Sequence, residues 1–138
     1  NPREKASFLK ENMLPIQELG HLKFIPNNLQ ITDNISGILA QGHTESMFCP
    51  KISIGNQKLV FMADMIPSIG HIKPNYVMGY DIRPLETMKE RESFLKEAVS
   101  NKYLLFFEHD LSIECGTVAL GERGYKLHES GNLKDFVK

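Results

Sequence analysis

The 138-residue chain carries 16 lysines and arginines against 17 aspartates and glutamates, which gives a formal net charge of −1 at pH 7. This balance offers no basic surface to a polyanion, so we expect no nucleic acid partner. No apolar run approaches the ~18 residues that a transmembrane helix needs, and no signal peptide opens the chain, so we expect a cytoplasmic protein without a membrane partner. The length suits one domain with a core, over residues 1–138.

The two cysteines and the first residue are also informative. Cys49 and Cys115 are too few for a disulfide scaffold, and we predict that both are buried, reduced thiols. The chain begins with Asn1 instead of a methionine, so we expect it to be a piece of a longer protein.

The N-terminal third predicts one helix and several short strands. Pro2 suits the first turn of a helix whose apolar face continues until Pro15. A turn at residues 26–28 separates two short strands, and a further turn precedes a longer one. The predicted strands are residues 22–25, 29–32 and 35–41.

The middle of the chain predicts a hairpin, because Gly55-Asn56-Gln57 separates strands at 47–54 and 58–62. Pro84 then opens the clearest helix, residues 85–100, in which Glu92 and Lys96 can pair. Its apolar face is predicted to consist of Met88, Leu95, Ala98 and Val99.

A strand at 103–107 and a closing hairpin at 117–120 and 125–128, around Arg123-Gly124, complete the prediction. Several strands, then a helix, then strands favour one layer of an α/β sandwich over a doubly wound sheet.

The stretch at 58–64, KLVFMAD, organises the functional prediction. Its apolar run is predicted to be a strand buried on both faces, and Asp64 at the mouth of that strand needs a partner. Two other strands end similarly, since residues 38–40 lead into His43 and residues 103–107 lead into His109. Histidines and a carboxylate that gather at strand ends are typical of metal sites.

Each of these residues also has a purely structural interpretation. His43 alone could cap a strand or lie in the core, and Asp64 could simply form a turn. His109 could pair with Glu108 or Asp110, and Asp110 could instead orient a metal ligand. Cys115 is a poor candidate for a soft ligand.

The irregular segment 65–80 is long enough to be functional. His71 on this segment is a candidate to face a substrate cleft, although Ile69 and Ile72 could instead pack it into the loop. We expect His21 and His128 to be surface residues.

Four pieces of sequence together resemble the C-terminal half of the metallo-β-lactamase-fold hydrolases, over nearly the whole chain. They are Gly42-His43-Thr44, the KLVFMAD stretch, Tyr80-Asp81 and Phe107-Glu108-His109-Asp110. The long loop after Asp64, followed by Gly79-Tyr80-Asp81, a helix and Phe-x-His-Asp, is most similar to the lactonase and organophosphate-hydrolase branch.

The resemblance implies a fold of the α/β class (α+β type), namely the C-terminal half of a four-layer αββα sandwich. It implies that His43 binds a first metal, that Asp64 bridges two metals and that His109 binds the second. Apart from the resemblance, we predict that Asp64 and His71 are catalytic and that Tyr76 and Tyr80 lie on the substrate loop. The complete protein would hold two zinc ions and hydrolyse esters, lactones or related small molecules through a metal-bound hydroxide.

The chain departs from the family pattern in two places. The H-x-H-x-D-H motif of the N-terminal half is absent, and His21 is the only histidine before His43. Pro67 stands where many lactonases have a substrate-polarising tyrosine. We therefore expect an incomplete metal site and an inactive isolated chain.

Two alternatives remain open. The chain could be a non-catalytic assembly or binding module, which the missing motif favours, or a nuclease, which the neutral charge disfavours. For the isolated chain, half of a sandwich would leave an apolar sheet face uncovered, so we expect a homodimer or a higher oligomer.

Overall fold

The computed structural model describes residues 1–26 and 28–137, which form three α-helices and one seven-stranded sheet. The helices are α1 (Lys10–Glu18), α2 (Pro84–Asn101) and α3 (Leu133–Phe136). The strands are β1 (Gln30–Thr32), β2 (Ile35–Ala40), β3 (Met47–Ile54), β4 (Gln57–Phe61), β5 (Leu104–Phe106), β6 (Cys115–Gly121) and β7 (Gly124–Gly131). Residues Ala63–Met65 and Ile69–His71 form short 3-10 turns.

The strands lie in the sheet in their order along the chain, from β1 to β7. Every neighbouring pair is antiparallel except β4 and β5, which run parallel and are connected through α2. Strands β2, β4 and β5 therefore point in the same direction, and their carboxyl ends meet at one edge of the sheet. We call this edge the site edge.

A tight turn connects the two strands of each hairpin, as the sequence predicted. In the first, Ile54 pairs with Gln57 across Gly55-Asn56, and Gly55 has a φ of +57°. Glycine adopts this left-handed conformation without the clash that a Cβ would cause. The β6–β7 hairpin closes similarly, with Gly121 paired to Gly124, but both of its strands are longer than predicted.

One face of the sheet packs against α2 and forms the main core. Val60 and Leu105, from the two parallel strands, are fully buried together with Leu95 and Ala98 of the helix. Burying side chains of this size contributes roughly 1.5–3 kcal/mol each. This packing fixes α2 on the sheet, which matters for the site because the helix contacts the loops at the site edge.

The buried face of α2 differs in part from the prediction. The buried residues are Thr87, Arg91, Phe94, Leu95 and Ala98. Met88 and Val99 are only half-buried, and the predicted pair between Glu92 and Lys96 is not among the ion pairs of the described residues. Glu92 instead accepts a hydrogen bond from the Tyr125 hydroxyl at 3.1 Å. The predicted face counted only apolar residues and so missed a buried arginine.

The opposite face of the sheet has a smaller cluster, in which Leu59, Leu104 and Cys115 are buried and α3 contributes partial cover. The half-buried rings of Phe61 and Phe106 stack there at 5.7 Å. Both cysteines are buried free thiols, as predicted. Burial raises the pKa of Cys49 to about 12 and that of Cys115 to about 11, so neither is a reactive thiolate at neutral pH.

The N-terminal prediction is wrong in several details. Residues 2–7 form turns, and α1 instead runs from Lys10 to Glu18 and contains Pro15. None of its residues is buried, and residues 22–25 form no strand. Residues 22–25 have the apolar pattern of a strand, but a strand also needs a neighbouring strand to pair with. The turn predicted at 26–28 includes Asn27, which lies outside the described residues. Within the described residues, no helix is both long and apolar enough to cross a bilayer.

Truncating the main core tests this packing. Leu105→Ala removes a fully buried side chain and is expected to lower the free energy of unfolding by about 2–5 kcal/mol. Leu111→Ala is the matched control, because Leu111 is fully exposed, and it should change that free energy by less than about 0.5 kcal/mol. Urea unfolding followed by circular dichroism measures both, and equal effects would contradict the assignment of the core.

A second prediction concerns pH. The Tyr103 hydroxyl donates to Glu97 Oε1 at 2.7 Å, and this bond lowers the pKa of Glu97 below its ordinary 4.5. Burial, with help from Glu97, raises the pKa of Tyr103 to about 12. The lowered pKa makes the bond stabilising above pH 4.5, and this contribution is lost as the pH falls through the folded-state pKa of Glu97.

Tyr103→Phe should therefore lower the urea midpoint at pH 7, and its difference from the wild type should shrink towards pH 2. The Glu97 side chain is 44% exposed, so solvent screening keeps the effect below about 1 kcal/mol. A difference that is constant from pH 7 to pH 2 would show that the bond to Glu97 contributes nothing.

Candidate metal centre

Three strands deliver the predicted ligands to the site edge. His43 follows the end of β2 by three residues, Asp64 lies in the turn after β4, and His109 follows the end of β5. The structure brings all three side chains together, as the shared strand direction requires. Their role as metal ligands stays a prediction that the geometry can support.

Asp64 lies between the two imidazoles and presents one oxygen to each. Its Oδ2 lies 3.4 Å from His43 Nε2, and its Oδ1 lies 3.3 Å from His109 Nε2. Both separations are longer than the usual N–H···O distance of about 2.9–3.0 Å. Two ligand atoms bound tetrahedrally to one zinc ion at ~2.0–2.1 Å are about 3.3 Å apart. The donor set and its spacing therefore fit a cation on each side of the carboxylate.

Within the described residues, each of these positions has two donors. Across residues 1–26 and 28–137, no three histidine, cysteine, aspartate or glutamate side chains are arranged to hold one ion. The three candidate ligands differ in solvent exposure: the side chains of His43, Asp64 and His109 are 11%, 29% and 58% exposed, respectively. Water or another polypeptide segment would have to complete the coordination.

Asp81 fixes the orientation of His43. Its Oδ1 lies 2.8 Å from His43 Nδ1, its Oδ2 accepts a hydrogen bond from the Met78 N–H, and its side chain is fully buried. A neutral imidazole that donates from Nδ1 leaves a lone pair on Nε2, which here faces an oxygen of Asp64. Two lone pairs in this position repel each other unless a cation or a proton lies between them, so the arrangement favours cation binding.

The prediction assigned Asp81 no role, although it belongs to the Tyr80-Asp81 motif. An acidic residue three positions before a helix that begins with proline has the sequence signal of an ordinary turn. Only the three-dimensional structure shows that it reaches His43.

Glu90 of α2 holds the backbone before His43. Its two carboxylate oxygens accept hydrogen bonds from the N–H groups of Gln41 at 2.6 Å and Gly42 at 3.0 Å. A Cβ at Gly42 would lie 2.3 Å from the backbone nitrogen of Thr87, so only glycine fits this close approach. The helix thus sets the position of the His43 loop, and sequence reasoning missed this role of Glu90 as well.

Asp110 organises the backbone around His109. Its Oδ2 accepts a hydrogen bond from Ile69 N–H at 3.0 Å, and its Oδ1 accepts from Ser112 and Ile113. Burial alone would raise the pKa of Asp110, but these three donors together lower it. The His109 N–H in turn donates to the Pro67 carbonyl at 2.9 Å. Asp110 thus ties the segment after Asp64 to the one that carries His109, without touching the imidazole.

The turn that presents Asp64 contains a strained residue. Ala63 has a φ of +45°, in the left-handed region that residues other than glycine rarely adopt. Such a residue costs on the order of 1 kcal/mol, which the packing of Met62 and Met65 on either side offsets.

Of the other predicted residues, Tyr80 contacts a candidate ligand and His71 and Tyr76 have other partners. Tyr80 places its ring edge-on to His43, with centroids 5.9 Å apart. Tyr76 is half-exposed beneath Lys73, and His71 Nδ1 lies 2.8 Å from Ser68 Oγ. Among the described residues, no hydrogen bond or ion pair joins His71 to the three predicted ligands, so its catalytic role and the substrate role of Tyr76 stay predictions.

Burial, followed by the charge of Arg91, lowers the pKa of His71, so its ring is neutral at neutral pH. His21 and His128 are exposed, as predicted. Cys115 belongs to the cluster on the opposite face of the sheet, where no predicted ligand lies.

The fold has clear counterparts among solved structures. A probable metal-dependent hydrolase from Staphylococcus aureus superposes with a TM-score of 0.69 over 81% of this chain, at 21% identity. The dizinc quorum-quenching lactonase AidC, in complex with a product, matches 95% of the chain with a TM-score of 0.71, at 24% identity. AbOPH, a hydrolase of the beta lactamase superfamily, matches 92% with a TM-score of 0.74, at 18% identity.

No protein-family model and no curated protein matches the chain. It spans 40%, 48% and 46% of the lengths of the three solved chains, which is less than half of each. At these identities the similarity concerns the fold alone. It is consistent with the sequence resemblance to the C-terminal half of metallo-β-lactamase-fold hydrolases. This chain has a part of the fold of metallo-β-lactamase-like hydrolases.

Proposed function

We propose that this chain is part of a hydrolase that uses two zinc ions to cleave esters, lactones or related small electrophiles. The observation that carries the proposal is the position of Asp64, whose two oxygens face two imidazoles at ligand spacing. The chain spans less than half of the solved hydrolases, so the activity belongs to a longer polypeptide or an assembly.

The roles of the residues follow from the distances. His43 Nε2 and Asp64 Oδ2 would hold one zinc ion, and His109 Nε2 and Asp64 Oδ1 would hold the other. Zinc in such a site polarises the oxygen of the electrophile and lowers the pKa of a coordinated water. Asp81 keeps the Nδ1 proton of His43 away from the site, so that Nε2 stays a lone-pair donor.

The remaining residues would shape a substrate pocket in the complete protein. The Tyr80 ring packs at the edge of His43, where it would limit access to one side of the site. His71 is neutral because burial lowers its pKa, and the Ser68 hydroxyl can donate to Nδ1. His71 Nε2 would then be the atom that shuttles a proton to or from the substrate.

A non-catalytic binding module is the second candidate. It is supported by the observation that no three donors among the described residues are arranged to hold one ion. Titration of the isolated chain with metal separates the two functions.

Metal binding can be measured on the chain itself. Zinc titration of the metal-free chain, against a chromogenic chelator, should show binding that Asp64→Asn weakens at least tenfold, because the substitution removes the charge shared by both positions. His128→Gln is the matched control, since His128 is exposed on β7, and it should leave the affinity within twofold.

Two results would count against the dizinc proposal: no zinc binding by the unmodified chain, or equal binding by Asp64→Asn. In the longer protein, turnover of an ester and lactone panel should fall strongly in His43→Ala and remain normal in His128→Gln.

We also propose that the chain assembles as a homodimer or a larger oligomer. This assembly would cover the face of the sheet opposite α2, which carries Phe61 and Phe106. The half-buried rings of Phe61 and Phe106 and the exposed apolar side chains of α1 support this assembly. Light scattering of the purified chain should give a mass of at least two copies, and Phe61→Lys should reduce it. A monodisperse monomer would contradict the proposal.

A further inference from the structure

Arg91 is a buried cation that the proposed chemistry does not use. It lies on α2 with no measurable exposure, and it is absent from the ion pairs of the described residues. Burial lowers its pKa, while the nearby Asp81 opposes the shift. Within the described residues Asp81 is not a hydrogen-bond partner of Arg91, and its two oxygens bind His43 and Met78. An unpaired buried charge is costly, so its contacts need an explanation.

The guanidinium group donates to three backbone carbonyls instead of a carboxylate. Nε donates to the Met65 carbonyl at 2.8 Å, and Nη1 donates to those of Tyr76 at 2.7 Å and Lys73 at 3.5 Å. Nη2 is buried and has no partner among the described residues. All three carbonyls belong to the irregular segment between Asp64 and Asp81.

These contacts connect the core to the site. Met65 directly follows Asp64, and Tyr76 lies in the part of the segment that leads to Asp81. On the other side, Phe94 and Leu95 anchor α2 in the main core. Arg91 therefore holds the segment at its start, Met65, and again at Tyr76, from a helix that the core fixes in place. A planar guanidinium can reach carbonyls in several directions, whereas the ammonium of a lysine is a single point charge.

We propose that Arg91 is a positioning residue, which sets the conformation of segment 65–76 and keeps Asp64 between His43 and His109 before any cation binds. The proposal concerns the metal-free chain, and only its second readout rests on the proposed zinc site.

Hydrogen exchange of the metal-free full chain tests the first part. In Arg91→Met, the amides of residues 66–80 should exchange at least tenfold faster, whereas those of the β6–β7 hairpin should stay within twofold of the wild type. Arg91→Lys should be intermediate. Lys89→Met is the matched control, because Lys89 lies on the same helix with a side chain that is 76% exposed, and it should change neither region.

Zinc affinity is the second readout. Arg91→Met should weaken binding by about 10–100-fold, as residues that support metal ligands typically do, and Arg91→Lys should recover part of the loss. A purely structural role would leave the affinity of the folded fraction unchanged, and in a chain that binds zinc this result would overturn the positioning of Asp64 by Arg91. If the unmodified chain binds no zinc, the proposed function fails, but the exchange experiment still decides the role of Arg91.

The proposal would be overturned by equal acceleration in the loop and in the hairpin, or by loop exchange within twofold of the wild type. Should Arg91→Met fail to fold, Arg91→Lys decides alone. Faster exchange confined to residues 66–80, with weaker zinc binding if the unmodified chain binds zinc, supports the proposal.

Discussion

The parallel pairing of β4 with β5 is the constraint on which the rest of the structure depends. Two adjacent parallel strands need a long crossover, and here α2 supplies it. The pairing places the residues after both strands, Asp64 and His109, at the same edge of the sheet. The two antiparallel pairings from β2 to β4 then bring His43 to that edge as well.

The crossover helix serves the site as well as the core. Its apolar residues hold the sheet, and its charged residues bind the two loops that carry the candidate ligands. Glu90 accepts hydrogen bonds from the backbone before His43, while Arg91 donates to the backbone after Asp64. Neighbouring residues of opposite charge thus hold two separate loops, and the site depends on α2 although none of the candidate ligands belongs to it.

How much of this the sequence could predict depends on the range of the interactions. The hairpin at Gly55, the helix after Pro84 and the three strand ends that carry the candidate ligands depend on local signals, and the structure agrees with each. Arg91 and Asp81 could not be recognised, because a charged residue on a helix or in a turn is normally solvated. The N-terminal helix was misplaced because its apolar residues find no neighbours to bury them.

The buried thiols have a practical consequence. Cys49 and Cys115 are both inaccessible to solvent. Burial raises the pKa of Cys49 to about 12 and that of Cys115 to about 11. The thiolate is the nucleophile that attacks an alkylating reagent, so these two native side chains resist modification while the chain stays folded. A cysteine introduced on the exposed surface of the loop, for example at Tyr76, could therefore carry a fluorophore or spin label without removal of the native cysteines.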